Sequence, residues 1–210
     1  QLIELAQKYS KGDGVPMNRR RAIDLWKRVL GKLPPDDISE FIERKGGDKI
    51  EREYLWAAYS KMFVEQSSIA EWNREGEIEW GFDVKNGRLI LKGLRQIEDY
   101  ADGGRTCKIS NYRSNNVPWV QKYGNQIQSA VVCYGISAIG WDTFSNCTSL
   151  KSAIFLISIT SIDYHAFEYC TSLESIVIPN SVNSIGDGAF NSCTSLESVL
   201  IPDSVTSIGN

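Results

Sequence analysis

The sequence predicts an α+β fold in which N-terminal helical hairpins and a β-hairpin cap precede a solenoid of parallel-stranded repeats. The first observation is the phrase Cys-Thr-Ser-Leu, which begins at Cys147, Cys170 and Cys193 with a constant spacing of 23 residues. A fixed period in this range is the signature of stacked repeats. The second is the pattern of apolar residues, which has helical spacing in residues 1–63 and alternates strictly in residues 77–84.

Residues 1–63 are predicted to form a helical segment. The two clearest apolar stripes consist of Leu2, Leu5, Ala6 and Tyr9, and of Ala22, Leu25, Trp26 and Val29. Gly12 and Gly14 can end the first helix and Asn18 can cap the second, which predicts a helical hairpin. Further helices are predicted near residues 35–44 and at residues 48–63, the latter with a capping-box spacing at Asp48 and Glu51.

Several residues of this hairpin match a known repeat. They are Leu5-Ala6, Tyr9, Gly12, Gly14-Val15, Asn18, Ala22 and Leu25-Trp26. The pattern resembles the Sel-like repeat, a relative of the tetratricopeptide repeat. The resemblance implies close helix packing at Ala6 and Ala22, and arrays of such hairpins serve as protein-binding scaffolds. Val29-Leu30 replaces two usual alanines, which indicates a terminal unit.

Residues 64–76 are predicted to be a linker and residues 77–126 a β cap. Asn86-Gly87 is a strong hairpin signal, and a two-residue turn there would pair Val84 with Leu89, Phe82 with Leu91 and Trp80 with Gly93. The opposite face of this hairpin is polar, so we expect it to face water at one end of the stack. Residues 101–117 are polar and rich in glycine, and we expect a surface loop that includes Cys107.

The cap and the repeats carry a second resemblance. In the cap it rests on Trp80, Asn86-Gly87, Leu89, Leu91, Gly93, Ile97, Asp99-Tyr100 and Pro118-Trp119, and in the repeats on Ile178-Pro179, Ser184 to Phe190 and Cys193 to Leu196. These segments are similar to BspA-like leucine-rich-repeat proteins. The resemblance implies a surface or secreted protein that binds host proteins or other cells. The early repeats depart from the pattern, because Cys133 and Leu156 replace a proline and Asp163 replaces a glycine.

The repeats at residues 127–210 cannot fold singly. In the most regular one we expect an inward-facing set of Ile176, Ile178, Val182, Ile185, Phe190, Cys193 and Leu196. Their burial would contribute about 10–20 kcal/mol, whereas ordering a repeat of this length costs on the order of 35 kcal/mol. Neighbouring strands must therefore pair in parallel. Because the last repeat stops at Asn210 before its phenylalanine, we expect a truncated stack that frays or self-associates through its open C-terminal edge.

Composition narrows the classes of partner. The chain has 210 residues, is 42% hydrophobic and 23% charged, and has a formal net charge of −3. Residues 127–210 carry one base, Lys151, against seven acids, which argues against nucleic acid and anionic lipid as partners. No apolar run approaches the roughly 20 residues that cross a bilayer, so we expect no membrane insertion.

The residues that could carry chemistry each have a structural alternative. Cys147, Cys170 and Cys193 could form a metal or redox site, but identical positions in stacked repeats form a straight ladder, which favours buried free thiols. His165 has no nucleophile at a recognisable spacing, which favours an exposed loop histidine. We expect no catalytic, cofactor-binding or metal-binding residue.

Three aromatic residues of the repeat loops are candidates for partner binding. Trp141 and Tyr164 occupy equivalent positions in successive repeats, and Tyr169 follows in the next loop. Rigid aromatic rings bury much area at low entropic cost and can anchor a protein partner. They could equally cover the hydrophobic edge beside the irregular early repeats.

The sequence thus predicts a non-enzymatic module for protein recognition or adhesion. Two alternatives stay open: a targeting or regulatory segment of an enzyme whose catalytic domain lies outside this chain, and a passive structural spacer. The partner, the compartment and the oligomeric state are not predicted by any residue pattern.

Overall fold

The computed structural model describes residues 1–33, 38, 41–42, 44, 49–94, 107–113, 116–156 and 159–210. The chain divides into two compact units. Most of the first unit is Gln1–Ser67, and the second unit comprises Ser68–Leu94 and Thr106–Asn210. The predicted capping box at Asp48 and most of the helix predicted near residues 35–44 lie outside the described residues.

The first unit is helical. The helices whose bounds the structure describes are α1 (Leu2–Lys11), α2 (Arg19–Leu30) and α3 (Lys49–Gln66). Helix α1 ends at Gly12 in the left-handed conformation, with φ of 74°, and the Asn18 side chain caps α2 by accepting a hydrogen bond from the Arg21 backbone N–H at 2.9 Å. The helix ends predicted from Gly12 and Asn18 are therefore confirmed.

Small residues allow α1 and α2 to pack closely. Ala6 and Ala22 are fully buried, and the Trp26 indole N–H donates to the Ser10 hydroxyl at 3.3 Å. Helix α3 packs on α2, and the Lys27 ammonium lies 2.7 Å from the Glu65 carboxylate. This helix continues to Gln66, so the first residues of the predicted linker are helical.

The described part of the second unit contains short strands and one short α-helix. The strands are β1 (Trp72–Glu75), β2 (Ile78–Asp83), β3 (Arg88–Gly93), β4 (Cys107–Lys108), β5 (Ser129–Val132), β6 (Ile136–Ile139), β7 (Ser152–Phe155), β8 (Ser161–Ile162), β9 (Ser175–Ile176), β10 (Ser184–Ile185) and β11 (Ser207–Ile208). Helix α4 (Pro118–Tyr123) leads into a single 3₁₀ turn, Gly124–Gln126. The repeats that begin at β5, β7 and β9 contribute one strand to each of two sheets, and the last repeat contributes β11 to the second sheet.

The described strands form a first sheet in the order β1-β2-β3-β5-β7-β9 and a second sheet in the order β11-β10-β8-β6-β4. In the repeats the strands pair in parallel, and equivalent serines face each other. In the first sheet Ser129 pairs with Ser152 and Ser152 with Ser175, and in the second Ser161 pairs with Ser184 and Ser184 with Ser207. The parallel pairing predicted from the repeat period is confirmed.

The core between the sheets is built from columns of equivalent residues. The rings of Phe144, Phe167 and Phe190 stack with centroids 4.9 Å and 5.5 Å apart. Phe144 and Phe167 are fully buried, whereas Phe190, which stacks on Phe167, is half-buried. The inward direction predicted for the phenylalanine column is confirmed.

Backbone carbonyls between repeats are satisfied by the small polar side chains of the repeated phrase. The Cys170 thiol donates to the Phe144 carbonyl at 3.1 Å, and the Cys193 thiol donates to the Phe167 carbonyl at 3.1 Å. Thr194 likewise donates to the Thr171 carbonyl of the preceding repeat at 3.4 Å. This bonding gives a physical reason for the constancy of Cys-Thr-Ser-Leu.

The hairpin between β2 and β3 is antiparallel, but the predicted register is wrong. Phe82 pairs with Leu89 and Trp80 with Leu91, and the last pair is Asp83 with Arg88. The connection is therefore four residues long and leaves Val84 outside the sheet, 70% exposed. The buried Asp83 carboxylate explains the difference, because it accepts hydrogen bonds from the backbone N–H and the side-chain amide of Asn86.

The outer face of this hairpin is covered, contrary to the sequence prediction. Strand β1, within the predicted linker, pairs antiparallel with β2. A Cβ atom added at Gly81 would lie 2.6 Å from a side-chain carbon of Ile69, so the missing side chain makes room for Ile69 and Trp72. Strand β3 in turn pairs in parallel with β5, which makes the hairpin a continuation of the first sheet.

The prediction of a surface loop around Cys107 is also wrong for the described residues. Strand β4 pairs in parallel with β6, and the backbone N–H groups of Ile109 and Tyr112 donate to the Ala138 and Trp141 carbonyls at 3.1 Å. Cys107 and Ile109 are buried. This segment acts as a first rung of the second sheet without sharing the repeat sequence.

Candidate functional site

The turns that follow the strands of the second sheet contain two left-handed backbone positions in each repeat. The first position is held by Asp142, His165 and Gly188, with φ of 55°, 53° and 60°, and the second by Asn146, Tyr169 and Ser192, with φ of 64°, 57° and 59°. Successive turns are hydrogen-bonded, for example from the His165 N–H to the Asp187 carbonyl at 3.1 Å. The turns thus present side chains at fixed places on a rigid backbone.

The structure brings two of the three predicted aromatic residues together. Trp141 and Tyr164 are 46% and 42% exposed, and their rings meet edge to face with centroids 5.9 Å apart. Tyr169 is 46% exposed at the second left-handed position and is not part of this pair. The pair is therefore a half-exposed apolar surface held between neighbouring repeats.

The prediction that His165 is an exposed loop residue is wrong. Its side chain is only 25% exposed, and its Nδ1 atom lies 3.0 Å from a carboxylate oxygen of Glu168. The imidazole stacks on the Tyr164 ring with centroids 3.7 Å apart. Its other side lies against Gly188, where an added Cβ would be 2.6 Å from Nε2. The histidine is held on three sides by its own and the following repeat.

Asp142 and Glu168 complete a cluster around this histidine. One possible ligand atom of each of Asp142, His165 and Glu168 lies within 4.8 Å of those of the other two. Asp142 is 8% exposed. Its carboxyl pKa is raised because burial removes water, an effect that His165 opposes and Glu168 reinforces. The sequence signal for this cluster is weak, since the three residues become neighbours only through the repeat stacking and the turn conformation.

The equivalent cysteines of the repeats, Cys147, Cys170 and Cys193, have low reactivity. Cys147 and Cys170 are fully buried and Cys193 is 9% exposed. Burial raises the pKa of the Cys147 thiol to about 12 and that of Cys193 to about 11. Because the thiolate is the reactive and metal-binding form, these cysteines are poor nucleophiles and ligands in the folded chain. The buried core role predicted for them is confirmed.

A second exposed surface was not predicted. The equivalent residues Ile154, Val177 and Leu200 are 38%, 79% and 87% exposed. Ile154 lies in β7 of the first sheet, and Val177 directly follows β9. The signal was present in the sequence, because Val177 stands between the buried Ile176 and Ile178 and must point the opposite way in an extended segment.

Comparison with known families identifies the repeats. Residues 122–210 match the BspA type leucine rich repeat region in six copies. A search of curated proteins found no match. Proteins of the leucine-rich-repeat class are typically non-enzymatic and act in protein interaction or adhesion, which agrees with the coarse functional class predicted from the sequence. The Sel-like resemblance of the first helices stays a prediction.

Part of this chain is similar to solved structures of leucine-rich repeat proteins. A leucine-rich repeat protein from Eubacterium ventriosum is similar with a TM-score of 0.51 and 23% identity over 66% of this chain. A leucine rich repeat protein from T. pallidum has a TM-score of 0.45 and 26% identity over 67% of this chain. The chain spans 39% of the length of the first protein and 65% of the second. The first similarity supports a leucine-rich-repeat fold.

None of the described helices combines the length and the apolar character needed to cross a membrane.

Proposed function

We propose that the chain is a non-enzymatic module for protein recognition or adhesion, with Trp141, Tyr164 and Tyr169 on its contact surface. The observation that carries this proposal is the edge-to-face pair of Trp141 and Tyr164, with centroids 5.9 Å apart. Large aromatic side chains dominate the free energy of protein interfaces when a partner covers them. The repeat class of residues 122–210 supports the same function.

The backbone around the pair is ordered before binding. The Asp142 N–H donates to the Tyr164 carbonyl at 3.2 Å, and the His165 N–H donates to the Asp187 carbonyl at 3.1 Å. The Tyr164 ring is further fixed by stacking on His165. A partner would therefore meet rings whose conformational entropy is already reduced, which lowers the cost of binding.

Charge restricts the partner to a neutral or basic protein surface. The repeats carry Lys151 as their only base against seven acids, so an acidic partner would be repelled.

We further propose that the repeats stack as a solenoid, that the helices of the first unit belong to a Sel-like array, and that this array extends the binding scaffold. A surface or secreted location fits such a role.

Peptides selected from a phage-displayed random library on the wild-type chain provide a defined probe. We expect Trp141→Ser and Tyr164→Ser each to weaken the binding of the selected peptides at least about 30-fold, the loss typical of an interface hot spot. Tyr169→Ser should weaken it less, because Tyr169 is outside the ring pair. Fluorescence anisotropy with a labelled peptide measures these affinities.

Val84→Ser is the matched control. It removes an exposed apolar side chain from the connection between β2 and β3, which is distant in sequence from Trp141 and Tyr164. It should leave the affinity unchanged. Loss of binding in Val177→Ser, with full binding in Trp141→Ser, would place the contact surface on the first sheet. If no selected peptide depends on either surface, the recognition role is wrong and the passive spacer is favoured. A catalytic domain in neighbouring sequence would favour the targeting or regulatory alternative.

A further inference from the structure

The cluster of Asp142, His165 and Glu168 joins two successive repeats. Asp142 comes from one repeat, and the other two come from the next, three residues apart. The Glu168 carboxylate is fixed from the following repeat, because the Asn191 side-chain amide donates to its Oε1 at 2.8 Å. Its Oε2 faces His165 Nδ1 at 3.0 Å. Two of the three groups are thus already oriented.

Asp142 is the unusual member. Asp142 is only 8% exposed, yet its carboxylate accepts no hydrogen bond from the residues that the structure describes. Its oxygens keep some contact with solvent, because among the described residues only the Tyr54 and Tyr112 hydroxyls are both fully enclosed and unpaired. A carboxylate with this little hydration and no hydrogen-bond donor is still stabilised by a nearby cation. Within the described ranges, no lysine or arginine pairs with Asp142 or Glu168. The imidazole of His165 interacts electrostatically with the Asp142 carboxyl group.

We propose that Asp142, His165 and Glu168 bind a first-row divalent metal ion of the Zn²⁺ type and thereby tie two successive repeats together. One imidazole nitrogen and two carboxylate oxygens form a donor set that zinc accepts. Calcium and magnesium prefer oxygen ligands alone, so the imidazole selects against them. The site is independent of the proposed recognition function.

The geometry requires little movement. A tetrahedral zinc ion with bonds of about 2.0–2.1 Å holds its ligand atoms about 3.3–3.4 Å apart. The His165 and Glu168 atoms are 3.0 Å apart, and all three ligand atoms lie within 4.8 Å of one another. With the ion bound, the imidazole would be neutral and would carry its proton on Nε2, so that the Nδ1 lone pair coordinates the metal. The His165 side chain is 25% exposed and that of Glu168 is 14% exposed, so both groups are in contact with solvent.

Calorimetric titration of the tag-free chain with ZnCl₂, after treatment with a chelator, tests the site. We expect one ion per chain and a thermal unfolding midpoint that rises with zinc concentration. Asp142→Asn, His165→Asn and Glu168→Gln should each abolish the shift. Asparagine is chosen at the first two positions because it tolerates positive φ. Asn191→Ala, which releases Glu168, should weaken binding about 10–100-fold.

Two controls keep the test specific. Glu174→Gln removes an exposed carboxylate from the same repeat and should bind zinc like the wild type. Substitution with Co²⁺ should give visible absorption bands without a thiolate charge-transfer band, because the cysteines are not ligands. Absence of binding, a thiolate band, or full zinc affinity in His165→Asn would overturn the proposal. Equal stabilisation by Ca²⁺ would overturn the choice of metal class.

Discussion

Two columns of equivalent side chains run through the repeats, and within each repeat their members are two residues apart in the sequence. The columns differ in what is kept from one repeat to the next. The inner column keeps its residue type, and its members are Phe144, Phe167 and Phe190, stacked 4.9 Å and 5.5 Å apart. The outer column keeps its backbone conformation but changes its residue type, from Asp142 to His165 to Gly188. The repeat is thus chemically constant inside and variable at the turn.

The difference teaches where this fold can acquire function. An inner residue touches its equivalents in both neighbouring repeats, so a change there disturbs the whole stack. A turn residue must only tolerate positive φ, which asparagine, aspartate, histidine and glycine do more readily than other residues. Different chemical groups can therefore be placed side by side at the turns without altering the fold, as at Asp142 and His165.

The largest expected effect comes from breaking the inner column. Phe167→Ala removes a fully buried ring that stacks on both neighbours, and we expect it to lower the free energy of unfolding by about 3–5 kcal/mol. Urea unfolding followed by circular dichroism measures this. Phe190→Ala should cost less, because Phe190 is half-buried. If the two variants lose the same free energy of unfolding, the partial exposure of Phe190 does not reduce its contribution to stability.

The next effect concerns the distance between repeats. A Cβ added at Gly186 would lie 2.5 Å from the Tyr164 backbone nitrogen, so Gly186→Ala should force the two repeats apart. We expect a loss of about 1–3 kcal/mol, the usual cost of overpacking. Asp163 occupies the equivalent position of the preceding repeat, which indicates that the stack can adjust. Wild-type stability of Gly186→Ala in urea would contradict this account of the glycine.

The repeats could be predicted better than the cap, for a physical reason. The Cys-Thr-Ser-Leu phrase occurs three times and makes equivalent contacts each time. The inward direction of the phenylalanine column and the parallel strand register therefore followed from the repeat period. The hairpin register depended on one local competition, in which the Asp83 side chain binds Asn86 and lengthens the turn. A two-residue strand such as β4 shows no periodicity at all, and its pairing is decided by the neighbouring β6.

The candidate site was only partly predictable. The pairing of Trp141 with Tyr164 follows from their equivalent positions, once neighbouring repeats are known to touch. The partners of His165 do not follow, because Glu168 reaches it through a turn with positive φ at His165. The burial of Asp142 likewise depends on the packing of the turns, which the alternation of apolar and polar residues does not describe.

A smaller effect should appear at alkaline pH, in the buried cysteine column. Burial raises the Cys147 pKa from 9.0 to about 12, so above pH 9 the unfolded chain releases a proton that the folded chain retains. The stability from the neutral thiol is complete below pH 9 and is lost toward pH 12, at up to about 1.4 kcal/mol per pH unit. The decline between pH 8 and pH 10 should be shallower in Cys147→Ala. Parallel curves would show that the thiol does not contribute.

The smallest effect is expected in the outer column, at His165. In chelator, His165→Asn should lower the free energy of unfolding by less than about 1 kcal/mol, because it loses only a partly exposed interaction with Glu168 and keeps a residue that tolerates positive φ. His165→Ala should cost about 1 kcal/mol more, since alanine has no local hydrogen bond to offset the left-handed backbone. Urea unfolding of both variants beside Phe167→Ala makes the comparison direct. If His165→Asn lowers the free energy of unfolding as much as Phe167→Ala does, the turn residues stabilise the stack as much as the core residues do. The view that the inner column provides stability and the outer column provides function would then be wrong.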